Sequence, residues 1–334
     1  VLVSAVETKN IDIVNELVKA GADVDAKDRF GYPVLKSAVR TKNIDIVKEL
    51  LKAGADVDAK GQYGDPVLVS AVKTENIDIV KELVKAGADV DAKACYGDPA
   101  LVSAVKTKNI DIVKELLKAG ADVDAKANYG DPALVSAVKT KNIDIVKELL
   151  KAGADVDAKA YYEDPALVSA VKTKNIDIVK ELLKAGANVD AKDDNGYPVL
   201  KSAVRTKNID IIKELLKAGA DVDARDDDGN PLLVSAVRTE NMAFMKKLLK
   251  VGADVNAKDR SGNPVLVSAV RTENMAFIKE LLKAGANVDA KDDDGNPVLV
   301  SAMWTKNINI VKELVKAGAD VNVIIKNNNY QSNI

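Results

Sequence analysis

One glycine returns every 33 residues along this chain, at Gly21, Gly54, Gly87, Gly120, Gly153, Gly186, Gly219, Gly252, Gly285 and Gly318. A strict period of that length excludes a globule built around one central core. It dictates a stack of supersecondary units, each too small to bury its apolar face alone and each leaning on its neighbours. The period divides the chain into a partial repeat over 1–27, then repeats starting at 28, 61, 94, 127, 160, 193, 226, 259 and 292, with a tail over 325–334. Residues 1–324 therefore read as a single solenoid. Val1 aligns with Val34, seven positions into a repeat, so the chain reads as a fragment or a processed product.

The repeat Ala127 to Lys159 shows what one unit encodes. Ala127-Asn128-Tyr129-Gly130-Asp131 is turn material, in which Gly130 supplies a positive φ. Asp131 then Pro132 reads as an N-cap followed by the first helical position. Leu134, Ala137 and Val138 follow at helical spacing, and Lys139-Thr140-Lys141 is a polar exit. Asn142 caps a second helix, with Asp144 in its first turn, where the helix dipole favours an acid. Ile145, Val146, Leu149 and Leu150 predict its buried face, with Lys147, Glu148 and Lys151 outside. Gly153 ends it as a left-handed C-cap. Ala154-Asp155-Val156-Asp157-Ala158-Lys159 runs extended into the next turn. The expected fold is an all-α solenoid of stacked helix-turn-helix repeats, joined by β-turn or hairpin fingers.

These residues resemble the ankyrin repeat. The leading Asp-x-x-Gly stands at Asp28-Arg29-Phe30-Gly31 and again at Asp193, Asp226, Asp259 and Asp292. The closing Leu-Leu-x-x-Gly-Ala-Asp-Val-Asn-Ala stands at Leu248 to Ala257. The likeness covers roughly residues 1 to 324. The Thr-Pro-Leu-His of that family is absent, and the chain has no histidine. Where the family has glycine between its helices, this chain has Lys141 or Glu240, followed by Asn142 or Asn241, and asparagine tolerates a left-handed backbone.

Function must lie where the repeats differ. The repeats holding Cys95 and Asn128 are otherwise identical, which marks recent duplication or consensus design. Recurrence of Gly31-Tyr32-Pro33-Val34-Leu35-Lys36 as Gly196-Tyr197-Pro198-Val199-Leu200-Lys201 favours duplication. Variation gathers at the turn tips, which carry Phe30, Tyr32, Tyr63, Tyr96, Tyr129, Tyr161, Tyr162 and Tyr197. Towards the C-terminus the tips become acidic, as in Asp226-Asp227-Asp228 and Asp292-Asp293-Asp294. A second ladder marks the end of each first helix: Arg40, Lys73, Lys106, Lys139, Lys172, Arg205, Arg238, Arg271 and then Trp304. In ankyrin arrays these two sets line the concave groove where partners bind, and Tyr and Arg are enriched at interface hot spots. The plain alternative is that the tip rings stiffen the turns and the cations form a solvated face. Phe244 and Phe277 stand in Ile145's register and read as core. The acidic tips lack the spacing of a twelve-residue calcium loop.

Composition narrows the function classes. With Lys plus Arg at 49 and Asp plus Glu at 51, bulk charge calls for neither nucleic acid nor an anionic membrane. Catalysis has no histidine, no phosphate-binding glycine loop and no metal-ligand cluster to use. No cofactor is expected. The reading is a non-enzymatic scaffold for a protein partner. Three alternatives stay open: a self-assembling array stacked end to end, a binder of single-stranded nucleic acid, and a designed consensus repeat without a natural ligand. The lone Cys95 fits a reducing compartment, hence the cytoplasm. By resemblance to arrays in host-associated microbes, that includes delivery into a host cell.

Overall fold

The computed structural model describes residues 1–61, 64–93, 97–161, 164–206, 208–226 and 228–322. The tip residues Tyr63, Tyr96 and Tyr162, together with Cys95, Asp227 and the tail over 325–334, lie outside them. The chain divides into two compact units, Val1–Asn188 and Val189–Ile334.

In the first unit the first helices are Leu2–Glu7, Val34–Thr41, Val67–Lys73, Ala100–Thr107, Ala133–Lys139 and Ala166–Lys172. Their second helices are Ile11–Lys19, Ile44–Lys52, Ile77–Lys85, Ile110–Lys118, Ile143–Lys151 and Ile176–Lys184. In the second unit the first helices are Val199–Thr206, Leu232–Arg238, Val265–Arg271 and Val298–Trp304. They are followed by Ile209–Lys217, Met242–Lys250, Met275–Lys283 and Ile308–Lys316. The architecture is all-α, with hairpin fingers pinned by antiparallel bridges such as Lys126 to Pro132 and Lys258 to Pro264. None of the described helices is long and apolar enough to cross a membrane.

Helices of six to nine residues are too short to persist alone in water, so packing must hold them. The first helix is buried almost all round: Ala133, Leu134, Val135, Ser136, Ala137 and Val138 are all inside, and only Lys139 emerges. Its partner buries Ile145, Val146 and Leu149 completely, while Leu150, expected inside, is half-exposed. Each fully buried aliphatic side chain contributes roughly 1.5–3 kcal/mol. Phe244 and Phe277 sit in the core, as their register predicts. Within each unit, every substantial helix contact joins helices of one repeat or of adjacent repeats.

Two local expectations need correction. Asn142 is not the left-handed residue between the helices; Lys141 is, at φ 59, and its equivalents among the described residues do the same. Asn142 has φ −94 and acts as the N-cap, its Oδ1 accepting the Ile145 N–H at 3.1 Å. Asp131 does not cap the first helix. Pro132 holds the cap position, and the Asp131 carboxylate is engaged elsewhere. The expected glycine C-cap is present as a full Schellman motif: the Gly153 N–H bonds Leu150 C=O and the Ala154 N–H bonds Leu149 C=O.

Candidate partner-binding surface

The tips come in two designs, set by where each repeat places its acid. In the first, an aspartate opens the turn. Asp28 Oδ1 accepts the Phe30 N–H at 2.8 Å and the Tyr32 N–H at 2.9 Å. Asp193, Asp226, Asp259 and Asp292 repeat this pattern on their own turns. The acid that opens each such tip is therefore engaged in closing its own turn. Asp292, Asp293 and Asp294 do bring their carboxylate oxygens within 4.8 Å of one another, the one such acidic cluster among the described residues.

In the second design the opening residue is Gly61, Ala94, Ala127 or Ala160, and the acid moves to the position before proline. Asp131 Oδ1 then accepts the Tyr161 N–H of the next tip at 3.0 Å, and Asp98 accepts the Asn128 N–H at 3.1 Å. The other carboxylate oxygen takes the ladder lysine of the same repeat. Lys106 meets Asp98 at 2.5 Å, Lys139 meets Asp131 at 2.5 Å and Lys172 meets Asp164 at 2.7 Å.

Ladder and tip are thus matched. Where aspartate precedes the proline, at 65, 98, 131 and 164, the ladder residue is lysine; where tyrosine or asparagine does, it is arginine, or tryptophan in the last repeat. Arginine has the reach and the fork to engage the next tip: Arg238 meets Asp259 of the following repeat at 2.8 Å, and that carboxylate is only 2% exposed. Arg271 reaches Asn263 Oδ1 at 3.4 Å and lies 4.0 Å from Asp293. Arg40 and Lys73 are exposed, and Asp65 is taken instead by Lys36 at 3.8 Å. At Lys106, Lys139 and Lys172 the ladder is therefore a row of half-exposed ion pairs, an arrangement the sequence reading missed. Its signal was available in the matched alternation of Asp with Lys and Asn or Tyr with Arg.

The sequence-predicted aromatics divide by exposure. Tyr129 is 75% exposed, Tyr161 62% and Phe30 52%. A Cβ on Gly130 would come within 3.0 Å of Tyr161 Cδ2, so that ring rests on the preceding tip with its outer face in solvent. Arg29 lies over the Phe30 ring at 4.6 Å. Tyr32 and Tyr197 are half-buried and carry Lys36 and Lys201 over their faces. Trp304, at 76% exposed, stands beside Met303, itself mostly exposed.

A third feature, also missed, fastens the repeats. The second Asp of each closing Asp-Val-Asp accepts the backbone N–H of the residue that opens the same motif one repeat on. Asp91 takes Asp122 at 2.8 Å, Asp124 takes Asp155 at 2.9 Å and Asp223 takes Asp254 at 3.2 Å. Asn256 does the same for Asn287 at 2.8 Å with its amide oxygen.

Likeness to known proteins follows the geometry. The ankyrin repeat domain of Bcl-3, a unique member of the IkappaB protein family, matches at 28% identity with a TM-score of 0.59, covering 65% of this chain and 97% of that one. The human ASB11 ankyrin repeat domain matches in fold at 22% identity with a TM-score of 0.55, over 66% of this chain and 98% of that one. No curated protein matches in sequence. The family model for ankyrin repeats in three copies fits residues 2–94, 68–160, 161–226 and 232–325. With that match running nearly end to end, the chain belongs to the ankyrin-repeat family.

Proposed function

We propose that this chain is a non-catalytic scaffold that binds a protein partner along its fingertips and first-helix ends. One observation carries the reading: the frame satisfies its own polar groups through turn aspartates, asparagine caps and the ladder between repeats, while the rings of Phe30, Tyr129 and Tyr161 and the Trp304 indole face solvent on it. Large rigid side chains on a pre-ordered frame lose little entropy on binding. Arg40, Lys73, Lys106, Lys139, Lys172, Arg205, Arg238 and Arg271 supply charge beside them. Within the first unit the Lys–Asp pairs cancel much of that charge, which weighs against a single-stranded nucleic acid, whose backbone needs a net cationic track. The place of action in this reading is the cytoplasm, its own cell's or a host's.

The test is capture. Proteins retained by the immobilised chain are identified by mass spectrometry and compared with those retained by the triple variant Phe30→Ala, Tyr129→Ala, Tyr161→Ala. Retention should fall at least tenfold for the true partner, with circular dichroism unchanged. Equal retention by a folded variant sinks the fingertip assignment.

A further inference from the structure

The last repeat of the second unit shows what a following repeat covers. Val237 and Val270 are fully buried in their first helices, whereas Met303, at the same repeat position, is 56% exposed. Met245 and Ile278 are fully buried in their second helices, whereas Val311 is only half-buried. Ile308, Val315 and Val321 are exposed where Met275, Leu282 and Val288 are half-buried. Trp304 stands in the register of Arg238 and Arg271, and both of those side chains reach forward to the next tip. The indole therefore faces the place that a further repeat would take.

These side chains lie on the side that interior repeats turn towards their successor. Large apolar side chains collected on one face mark an interaction surface rather than ordinary surface scatter. The sequence changes at the same place. In the two repeats before it, the extended return runs on as Ala257-Lys258-Asp259 and Ala290-Lys291-Asp292 into a finger. After Asn322 it runs on as Val323-Ile324-Ile325. One small and two charged residues give way to three β-branched apolar ones, which suit an extended backbone with one side on an apolar surface. From Val323 to Ile334 the only charged side chain is Lys326.

We propose that this end face is a docking surface for the chain's own tail, with Val323, Ile324 and Ile325 laid across Met303, Trp304, Val311 and Val315. Three extended residues span about 10 Å, the distance between packed helices, so the run that starts at Asn322 is long enough to cross the exposed helix pair. Tethering favours the tail over an outside occupant, since a segment joined to the patch by a short linker is present at an effective concentration of order millimolar. The tail then hides the apolar face that the next repeat hides elsewhere in the stack. The inference goes beyond the binding reading above: Trp304 is held by the chain itself and meets a partner only when the tail lifts.

The capture variant leaves Trp304 and the tail untouched, so the two readings fail separately. Trp304 is the only tryptophan of the chain, and its fluorescence reports on this face alone. Two variants are compared with the parent: a chain ending at Asn322, and the full chain carrying Ile324→Ser with Ile325→Ser. Both should emit at longer wavelength, with circular dichroism unchanged. Their acrylamide quenching constants should rise roughly twofold, since uncovering one ring face doubles the area open to the quencher. Asn328→Ser should match the parent. If the truncated chain loses its helical signal, the serine pair decides. Equal quenching of the parent and a folded serine pair overturns the proposal. So does a parent quenched as readily as free N-acetyltryptophanamide. Shielding of Trp304 that fades on dilution overturns it as well, because the cover is then a second copy of the chain.

Discussion

The residue between the helices carries a cost this chain accepts at every repeat in which that residue is described. Lys9, Lys42, Glu75, Lys108, Lys141, Lys174, Glu240, Glu273 and Lys306 all hold φ between 52 and 61. A Cβ in that region meets the following carbonyl, at about 1 kcal/mol for each such residue. Lys141→Gly should therefore raise stability by about 0.5–1 kcal/mol, the steric relief exceeding the extra freedom glycine gains in the unfolded chain. Urea denaturation checks it, and a midpoint lower than the parent's contradicts the strain argument. The sequence pointed at this turn but to the wrong residue. Asparagine tolerates the left-handed region, yet its Oδ1 is worth more as an acceptor for the next helix's free N–H groups, so the strain falls on the residue before it.

At the scale of the element, the connections between repeats matter more than any helix. A nine-residue helix with one buried stripe has no stability of its own, and the Asp ladder locks each extended return onto the next. Asp124→Ala should cost about 1 kcal/mol by leaving the Asp155 N–H without its acceptor. Asp124→Asn should stay within a few tenths, because Asn256 already performs the same task with an amide oxygen. Thermal melts of the two variants separate them, and an equal loss in both would mean that charge, not hydrogen bonding, is what the ladder supplies. The exposed Lys–Asp pairs of the ladder contribute less, under about 1 kcal/mol each, since water and salt screen them. Their effect is to fix where each cation sits rather than to hold the fold.

At the scale of the whole molecule, stability should sum over repeats and their nearest-neighbour contacts. Deleting residues 127–159 removes one complete period and preserves every register: Asp124 would meet the Asn188 N–H in place of Asp155, and Asp98 would meet Tyr161 in place of Asn128. Helical content per residue should be unchanged and unfolding should remain cooperative, with the midpoint slightly lower. A chain that loses its helical signal on this deletion would show that distant repeats depend on one another.

What the sequence determined by itself was the period, and with it the fold. Apolar residues at helical spacing, asparagine caps and a glycine every 33 residues leave a stacked helical array as the way to bury those faces and end those helices. It also placed Phe244 and Phe277 inside, because their register admits nothing else. The partners of the tip and ladder side chains were decided only in three dimensions. Asp131 looked like a helix cap from its neighbours in the chain, but its carboxylate serves Tyr161 thirty residues on and Lys139 eight residues on. Local propensity sees neither distance. The seat of Tyr32 likewise depends on the repeat that follows: the bare Gly61 backbone lets the ring settle where a Cβ would lie 2.7 Å from Tyr32 Cδ1.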